Sequence, residues 1–308
     1  MTSKKTDTPL LPFVHLKKPL RIAVIGLGSM GQRYAKILSN HPETVIYGCD
    51  PRGDKDELFN PQTGWQYLSL EKLVKDVAPT FAVISVPASA HLEVLQTLMT
   101  CSSLSAVLME KPISDRRLSD HDFQYLFARA QEVLIAVGYN WRFHPLSKEL
   151  WKVRDGIRNL TLHVEQDMNS WPGNTYCDPL REFSHEIDLV QYLTTNPSVT
   201  NAQRWHSSEL LYRLTGIHSQ GKWCVEIHPT SHQSVRWIKV EMMDGVTVQR
   251  DWNQDPDVIE ATYYEEVRQL TETYLYNGSS EDLTCPLTDA LQTTQLIDKA
   301  EILGGFNP

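Results

Sequence analysis

An α/β N-terminal half built on a doubly wound parallel sheet, followed by an α+β half built on a largely antiparallel open sheet, is the fold class that the sequence predicts. Three observations carry it. Apolar runs alternate with helical segments through the first 140 residues, the runs are continuous apart from their turns, and beyond Asn140 strand-like runs follow one another with few helices between. Alternating strands and helices favour a parallel sheet with right-handed crossovers. Continuous apolar runs suit strands buried on both faces.

In the N-terminal half, RIAVI ends in a glycine turn and leads to a helix over about 30–40. VIYGCD is a second strand, followed by a polar loop and a short helix over about 70–77. FAVISVP is a third strand, and a helix over about 90–99 leads to SAVLMEKP. A helix over 115–130 leads to VLIAVGYN. Beyond it, NLTLHVEQDM, AQRWHSSELLYRL, KWCVEIHP, SVRWIKVEMM and GVTVQRDW are strand-like runs separated by turn residues. Helices over about 256–276 and 286–303 close the chain. The expected organisation is a flexible tail over 1–19, a parallel-sheet domain over 20–140 and a second domain over 141–285, with the 286–303 helix packing back on the first.

The 308 residues exceed what one hydrophobic core usually serves, which favours two domains. A formal net charge of −9 disfavours nucleic acid or an anionic membrane and leaves a small molecule as the expected partner. Five cysteines are scattered singly without a CxxC pair, which fits a reducing cytoplasm and no disulfide framework. No stretch approaches the roughly 20 apolar residues that cross a bilayer. The first residues lack the apolar run of a secretory signal. No histidine spacing such as HExxH points to a metal, and none is expected.

GLGSMG, with Gly26, Gly28 and Gly31 spaced as G-x-G-x-x-G, lies between a strand and a helix. Such glycines permit a tight turn, approach of pyrophosphate to the backbone, and close helix–strand packing, while the helix N-terminus offers amides. Ser29 and Met30 lie in the same turn. Asp50 ends the next strand, where a carboxylate accepts from the adenosine ribose hydroxyls and disfavours a 2′-phosphate. Arg52 could swing under such a phosphate. A Rossmann dinucleotide-binding domain follows, with NAD as cofactor and NADP possible.

MEKP at Met109 to Pro112, VPASAH, GYNWRFHP and the histidine-containing helix REFSHEIDLVQYL, added to GLGSMG, resemble the glucose-fructose oxidoreductase / inositol dehydrogenase (Gfo/Idh/MocA) family from Leu20 onward. The resemblance implies that Glu110, Lys111 and Pro112 form a turn beside the nicotinamide, with a Pro peptide commonly cis, and that Lys111 points at the substrate oxygen. It implies His185 as acid/base, with Glu182 and Asp188 three residues to either side. Asp188 is then its orienting or substrate-facing neighbour. Pro87, His91, Asn140 and Arg142 fall where the family lines the cofactor edge and the domain junction, and Trp171 falls beside the substrate. His91 could equally cap its helix, Trp141 and Phe143 could be core, and Arg142 could hold a substrate anion, a cofactor phosphate or a structural carboxylate. Many members carry a glycine-rich run and an acid four residues before the histidine; here NTYCDPL and Arg181 stand there, and the nearest acid is Glu182.

The function so implied is NAD(P)-dependent hydride transfer on a carbon bearing a hydroxyl or carbonyl, in a sugar, nucleotide sugar, sugar acid or cyclitol. Alternatives are elimination or hydrolysis through transient oxidation of a sugar, and an inactive dinucleotide-sensing regulator. A homodimer or homotetramer is implied by the resemblance alone.

Overall fold

The structure, a computed structural model, describes residues 19–40, 44–52, 64–167, 179–206, 210–230, 234–252 and 255–306. The expected tail and Trp171 lie outside these residues. Among them, no helix is long and apolar enough to cross a membrane.

The N-terminal half contains β1 (Leu20–Ile25), α1 (Ser29–Ser39), β2 (Thr44–Cys49), β3 (Gly64–Tyr67), α2 (Leu70–Val77), β4 (Phe81–Ile84), α3 (His91–Leu98), β5 (Ala106–Met109), α4 (Asp120–Arg129) and β6 (Leu134–Val137). The strands form one parallel sheet in the order β3-β2-β1-β4-β5-β6. Its strands are buried on both faces: along β1, Ile22 and Val24 join one core while Ala23 and Ile25 join the other. The sheet thus contains a strand, β3, inside what reads as a polar loop. Four residues give too little periodicity to announce it. α4 begins five residues later than expected, where Ser119 and Asp122 form a reciprocal capping box.

The second half contains α5 (Pro145–Trp151), β7 (Ile157–Asp167), α6 (Pro179–Glu182), α7 (Ser184–Leu193), β8 (Ser198–His206), β9 (Leu210–His218), β10 (Gly221–Thr230), β11 (Val235–Met242), β12 (Thr247–Asp251), α8 (Pro256–Leu275) and α9 (Leu287–Gly304). Its sheet runs β12-β11-β7-β10-β9-β8, antiparallel except for the parallel pair β7 and β10. The AQRWHSSELLYRL run belongs to two strands, β8 and β9, rather than one. REFSHEIDLVQYL is broken at Phe183 into α6 and α7.

Both closing helices tie the halves together. Val267 and Leu270 of α8 enter a core of the parallel sheet, although α8 was expected in the second domain. α9 places Leu287, Ala290 and Leu291 against the parallel sheet's other core, and Leu296, Ile297 and Ala300 in the core of the second sheet. Arg181, which occupies the position of the expected acid, is buried and paired with Asp298 and Glu301 of α9 at 2.6 and 2.7 Å. It fastens α6 to the closing helix.

Candidate functional site

The turn after β1 builds the dinucleotide end of the site. Gly26 has φ +85°, and a Cβ there would lie 2.6 Å from the Ser85 carbonyl oxygen. A Cβ on Gly31 would lie 1.8 Å from the Gly26 oxygen, so α1 packs against its own entry loop only with glycine there. A Cβ on Gly28 would meet nothing within 4 Å. That open space over the N-terminus of an eleven-residue helix could hold a pyrophosphate, with Ser29 exposed and Met30 half-buried beside it.

Asp50 is buried at the end of β2. Its Oδ2 accepts from the Leu27 backbone amide at 2.9 Å, so the carboxylate is anchored to the glycine turn. Arg52 donates from its backbone N, Nε and Nη2 at 2.9–3.0 Å. These Arg52 bonds, opposed by burial and helped by Leu27, hold the Asp50 carboxyl well below the usual carboxylate range. Arg52 is therefore folded onto Asp50 rather than extended toward a phosphate. The glycine turn, the open cradle and the ionised acid together fit NAD.

The loops after β4 and β5 are fastened to one another by His91. Its Nδ1 lies 2.9 Å from the Pro112 oxygen and its Nε2 2.9 Å from the Val86 oxygen. His91 is buried, and burial lowers its pKa against the pull of these carbonyls. It joins the two loops through both ring nitrogens, and Pro87 beside it is exposed. The Lys111–Pro112 peptide is cis.

Glu110 faces the interior. Tyr34 Oη lies 2.7 Å from Glu110 Oε1 and 3.1 Å from Glu266 Oε2, and the Lys111 amide donates to Glu110 Oε2 at 3.1 Å. Tyr34 has one hydroxyl hydrogen to share between the two carboxylates. Burial, reinforced by Glu110, pushes the Glu266 carboxyl well up; burial also raises Glu110. Gly138 leaves room for this carboxylate, since a Cβ there would come within 3.2 Å of its Oε2. The contacts of Glu110, expected at the cofactor, are with Tyr34 and the Lys111 amide, beneath the Lys111 turn. Glu266 and Tyr34 gave no sign in sequence, since their partners lie up to 232 residues away.

Lys111 crosses from the parallel sheet to α6. Its Nζ donates to the Glu182 carbonyl at 2.9 Å and lies 3.5 Å from Glu182 Oε2. His185 stands on the first turn of α7, edge-on to Tyr139 at 5.8 Å and to Trp141 at 6.3 Å. Its buried Nδ1 has no hydrogen-bond partner among the described residues. Burial, then the charges of Lys111 and Arg236, lower its pKa well below the ordinary histidine value. Lys111, Glu182 and His185 are thus brought together. Arg236, absent from the sequence reading, joins them from β11, donating to Glu186 Oε1 at 3.0 Å and lying over the Trp141 ring.

Asp188 and Arg142 are not part of that group. Arg142 is fully buried and forks onto Asp188 with Nε and Nη2 at 2.8 and 2.7 Å. Its Nη1 donates to the Thr284 oxygen at 2.7 Å and to Asp289 Oδ2 at 2.8 Å. Thr293 donates to Asp188 Oδ1 at 3.0 Å. Arg142 therefore holds structural carboxylates, and its guanidinium has no exposed edge for a cofactor phosphate. Asp188 orients Arg142 rather than His185. Asn140 is buried and donates to Thr262 Oγ1 at 2.7 Å, while its Oδ1 has no partner among the described residues. Trp141 and Phe143 are buried, Trp141 in the second sheet's core.

Residues 20–139 match the family described as oxidoreductase family, NAD-binding Rossmann fold (GFO_IDH_MocA). The chain is 21% identical over 256 residues to the Salmonella typhimurium protein YceM, covering 77% of this chain and 79% of that one. Among solved structures, a dehydrogenase from Chromobacterium violaceum superposes with a TM-score of 0.76 at 15% identity, covering 94% of this chain and 96% of that one. A myo-inositol dehydrogenase from Lactobacillus casei, in complex with NAD(H) and myo-inositol, gives 0.73 at 13% identity, covering 92% and 94%. The UDP-N-acetylglucosamine 3-dehydrogenase GnnA from Acidithiobacillus ferrooxidans gives 0.73 at 16%, covering 94% and 99%. At these identities the structural likeness is one of fold.

Proposed function

We propose, from the premise that this chain belongs through residues 20–139 to the Gfo/Idh/MocA family of NAD-binding oxidoreductases, that it transfers hydride at a hydroxyl or carbonyl carbon of a carbohydrate-like substrate. Sugars, nucleotide sugars, sugar acids and cyclitols form that class, and the inositol and UDP-N-acetylglucosamine dehydrogenases that share its fold support it. The observation that carries the reading is the meeting of Lys111, from the parallel-sheet domain, with His185, from α7. Bound NAD supplies the hydride acceptor or donor. Lys111 directs two ammonium hydrogens to Glu182, one to its carbonyl and one to its carboxylate, and keeps the third for the substrate oxygen, where a developing alkoxide needs a donor. His185, neutral at pH 7 because its pKa is depressed, accepts the hydroxyl proton in the oxidative direction.

The test is turnover by purified full-length protein of a panel of sugars, sugar acids, nucleotide sugars and cyclitols, with NAD and NADP in both redox states. Product formed in step with reduced-nicotinamide absorbance is the expected result. Product without net absorbance change points to transient oxidation, and binding without turnover to a sensor. Assembly into two or four copies, and location in the cytoplasm, belong to the same reading. Ile217 and Val235, exposed in the second sheet, support a self-association that sedimentation checks.

NAD is the preferred cofactor in this reading, because Asp50 repels a 2′-phosphate and occupies Arg52. Asp50→Ala should weaken NAD binding more than NADP binding, as measured by dissociation constants for both. Because the substitution also removes the acceptor of the Leu27 amide, a thermal melt accompanies it. Undiminished NAD affinity in a folded variant removes Asp50 as the ribose ligand.

A further inference from the structure

The outer face of the second sheet carries a cluster that hydride transfer does not use. Parallel pairing of β7 with β10 sets Glu226 beside His163 and His228 beside Glu165. Alternate residues of a strand share a face, so His163-x-Glu165 and Glu226-x-His228 project four side chains away from buried Leu162, Val164, Val225 and Ile227. The ligand atoms of His163, Glu226 and His228 lie within 4.8 Å of one another.

We propose that His163, Glu226 and His228 form a binding site for a divalent transition-metal ion such as zinc, with a fourth position left to water. Each of the first two ligands is oriented by a neighbour. His163 Nε2 lies 3.2 Å from Glu165 Oε1, and Nδ1 lies 3.3 Å from Glu226 Oε2. A neutral imidazole has one N–H for these two carboxylates. When Nε2–H donates to Glu165, the Nδ1 lone pair confronts Glu226, and a cation between them turns that repulsion into ligation. A carboxylate behind a metal-binding histidine is the usual way its tautomer and ring are fixed. Trp237 stacks on the His163 ring at 4.7 Å and 10°. Arg213 pairs with Glu226 Oε1, which leaves Oε2 toward the histidines. Two imidazoles favour zinc, cobalt, nickel or copper over magnesium and calcium, which prefer oxygen. The site was invisible in sequence because its ligands lie on two strands 63 residues apart.

The experiment titrates untagged, chelator-treated full-length protein with Co²⁺, read by visible absorption, and with Zn²⁺ by calorimetry. One equivalent of Co²⁺ per chain is expected, displaced by Zn²⁺ and not by Mg²⁺. His228→Asn and Glu226→Gln, with melting curves to establish folding, should each lose saturable uptake. Glu165→Gln, which leaves the ligands in place, should weaken affinity about 10- to 100-fold. No saturable uptake by the unaltered protein, or undiminished uptake in both ligand variants, overturns the proposal and leaves a histidine–carboxylate ion-pair cluster. Unchanged affinity in Glu165→Gln overturns the orienting role of that residue.

Discussion

Lys111→Ala and His185→Ala are each expected to lower turnover about 10²- to 10⁴-fold while leaving NAD affinity close to that of the unaltered protein, the range that general acid–base groups contribute. The expectation rests on the nearness of Lys111, in the loop after β5, to His185 on α7, and on the unpartnered Nδ1 of His185. Both side chains also have structural contacts. Lys111 is tied to Glu182 of α6, and His185 packs on Tyr139 and Trp141, so melting curves must accompany the kinetics. The pH profile separates catalysis from packing. Because burial and the Lys111 charge lower the pKa of His185, its base form persists below the ordinary histidine range near 6.5. The acid limb of kcat/KM in the oxidative direction should therefore fall below pH 6.5. Lys111→Met removes one of the charges that depress it, so in residual activity the limb should move upward. The same depression has a stability sign. The unfolded chain binds the proton first as pH falls, so this residue's contribution to stability diminishes below about pH 6.5. A loss of only a few-fold in a folded His185→Ala variant takes the histidine out of the mechanism.

The parallel half of the fold was legible because its signals are local. RIAVI, FAVIS and AVLM are buried on both faces and so read as unbroken apolar runs, and the glycine turn stands between a strand and a helix. What was not legible depended on partners distant in sequence. NWRF contains an arginine whose fork geometry suits phosphate as well as carboxylate. Only the return of α7 and α9 supplies Asp188 and Asp289, 46 and 147 residues away, and decides for carboxylate. The same is true of Glu110, whose neighbours Lys111 and Pro112 point to a cofactor while its own side chain turns toward Tyr34. Helical spacing placed Glu182, His185 and Asp188 on one face. The break at Phe183 puts Glu182 on a separate helix from His185, and Asp188, though on α7 with His185, is buried against Arg142.

Asp188→Asn should cost about 3–5 kcal/mol, because it leaves the fully buried Arg142 guanidinium short of its main counter-charge. A loss of that size lowers Tm on the order of 10 °C in a domain of this scale. Asp289 cannot substitute, since its side chain is 38% exposed and it meets only Nη1. The loss belongs to the unpaired charge more than to the bond. A double variant, Arg142→Met with Asp188→Leu, should recover much of what Asp188→Asn loses, as buried pairs replaced by apolar groups of similar volume often do. Urea unfolding of the single and double variants measures this coupling. If Arg142 served a cofactor phosphate instead, Arg142→Met would weaken NAD binding sharply and Asp188→Asn would leave the urea midpoint nearly in place. The opposite pair of results follows from a guanidinium whose Nε and Nη2 are both spent on Asp188, at the point where the segment after β6 meets α7 and α9.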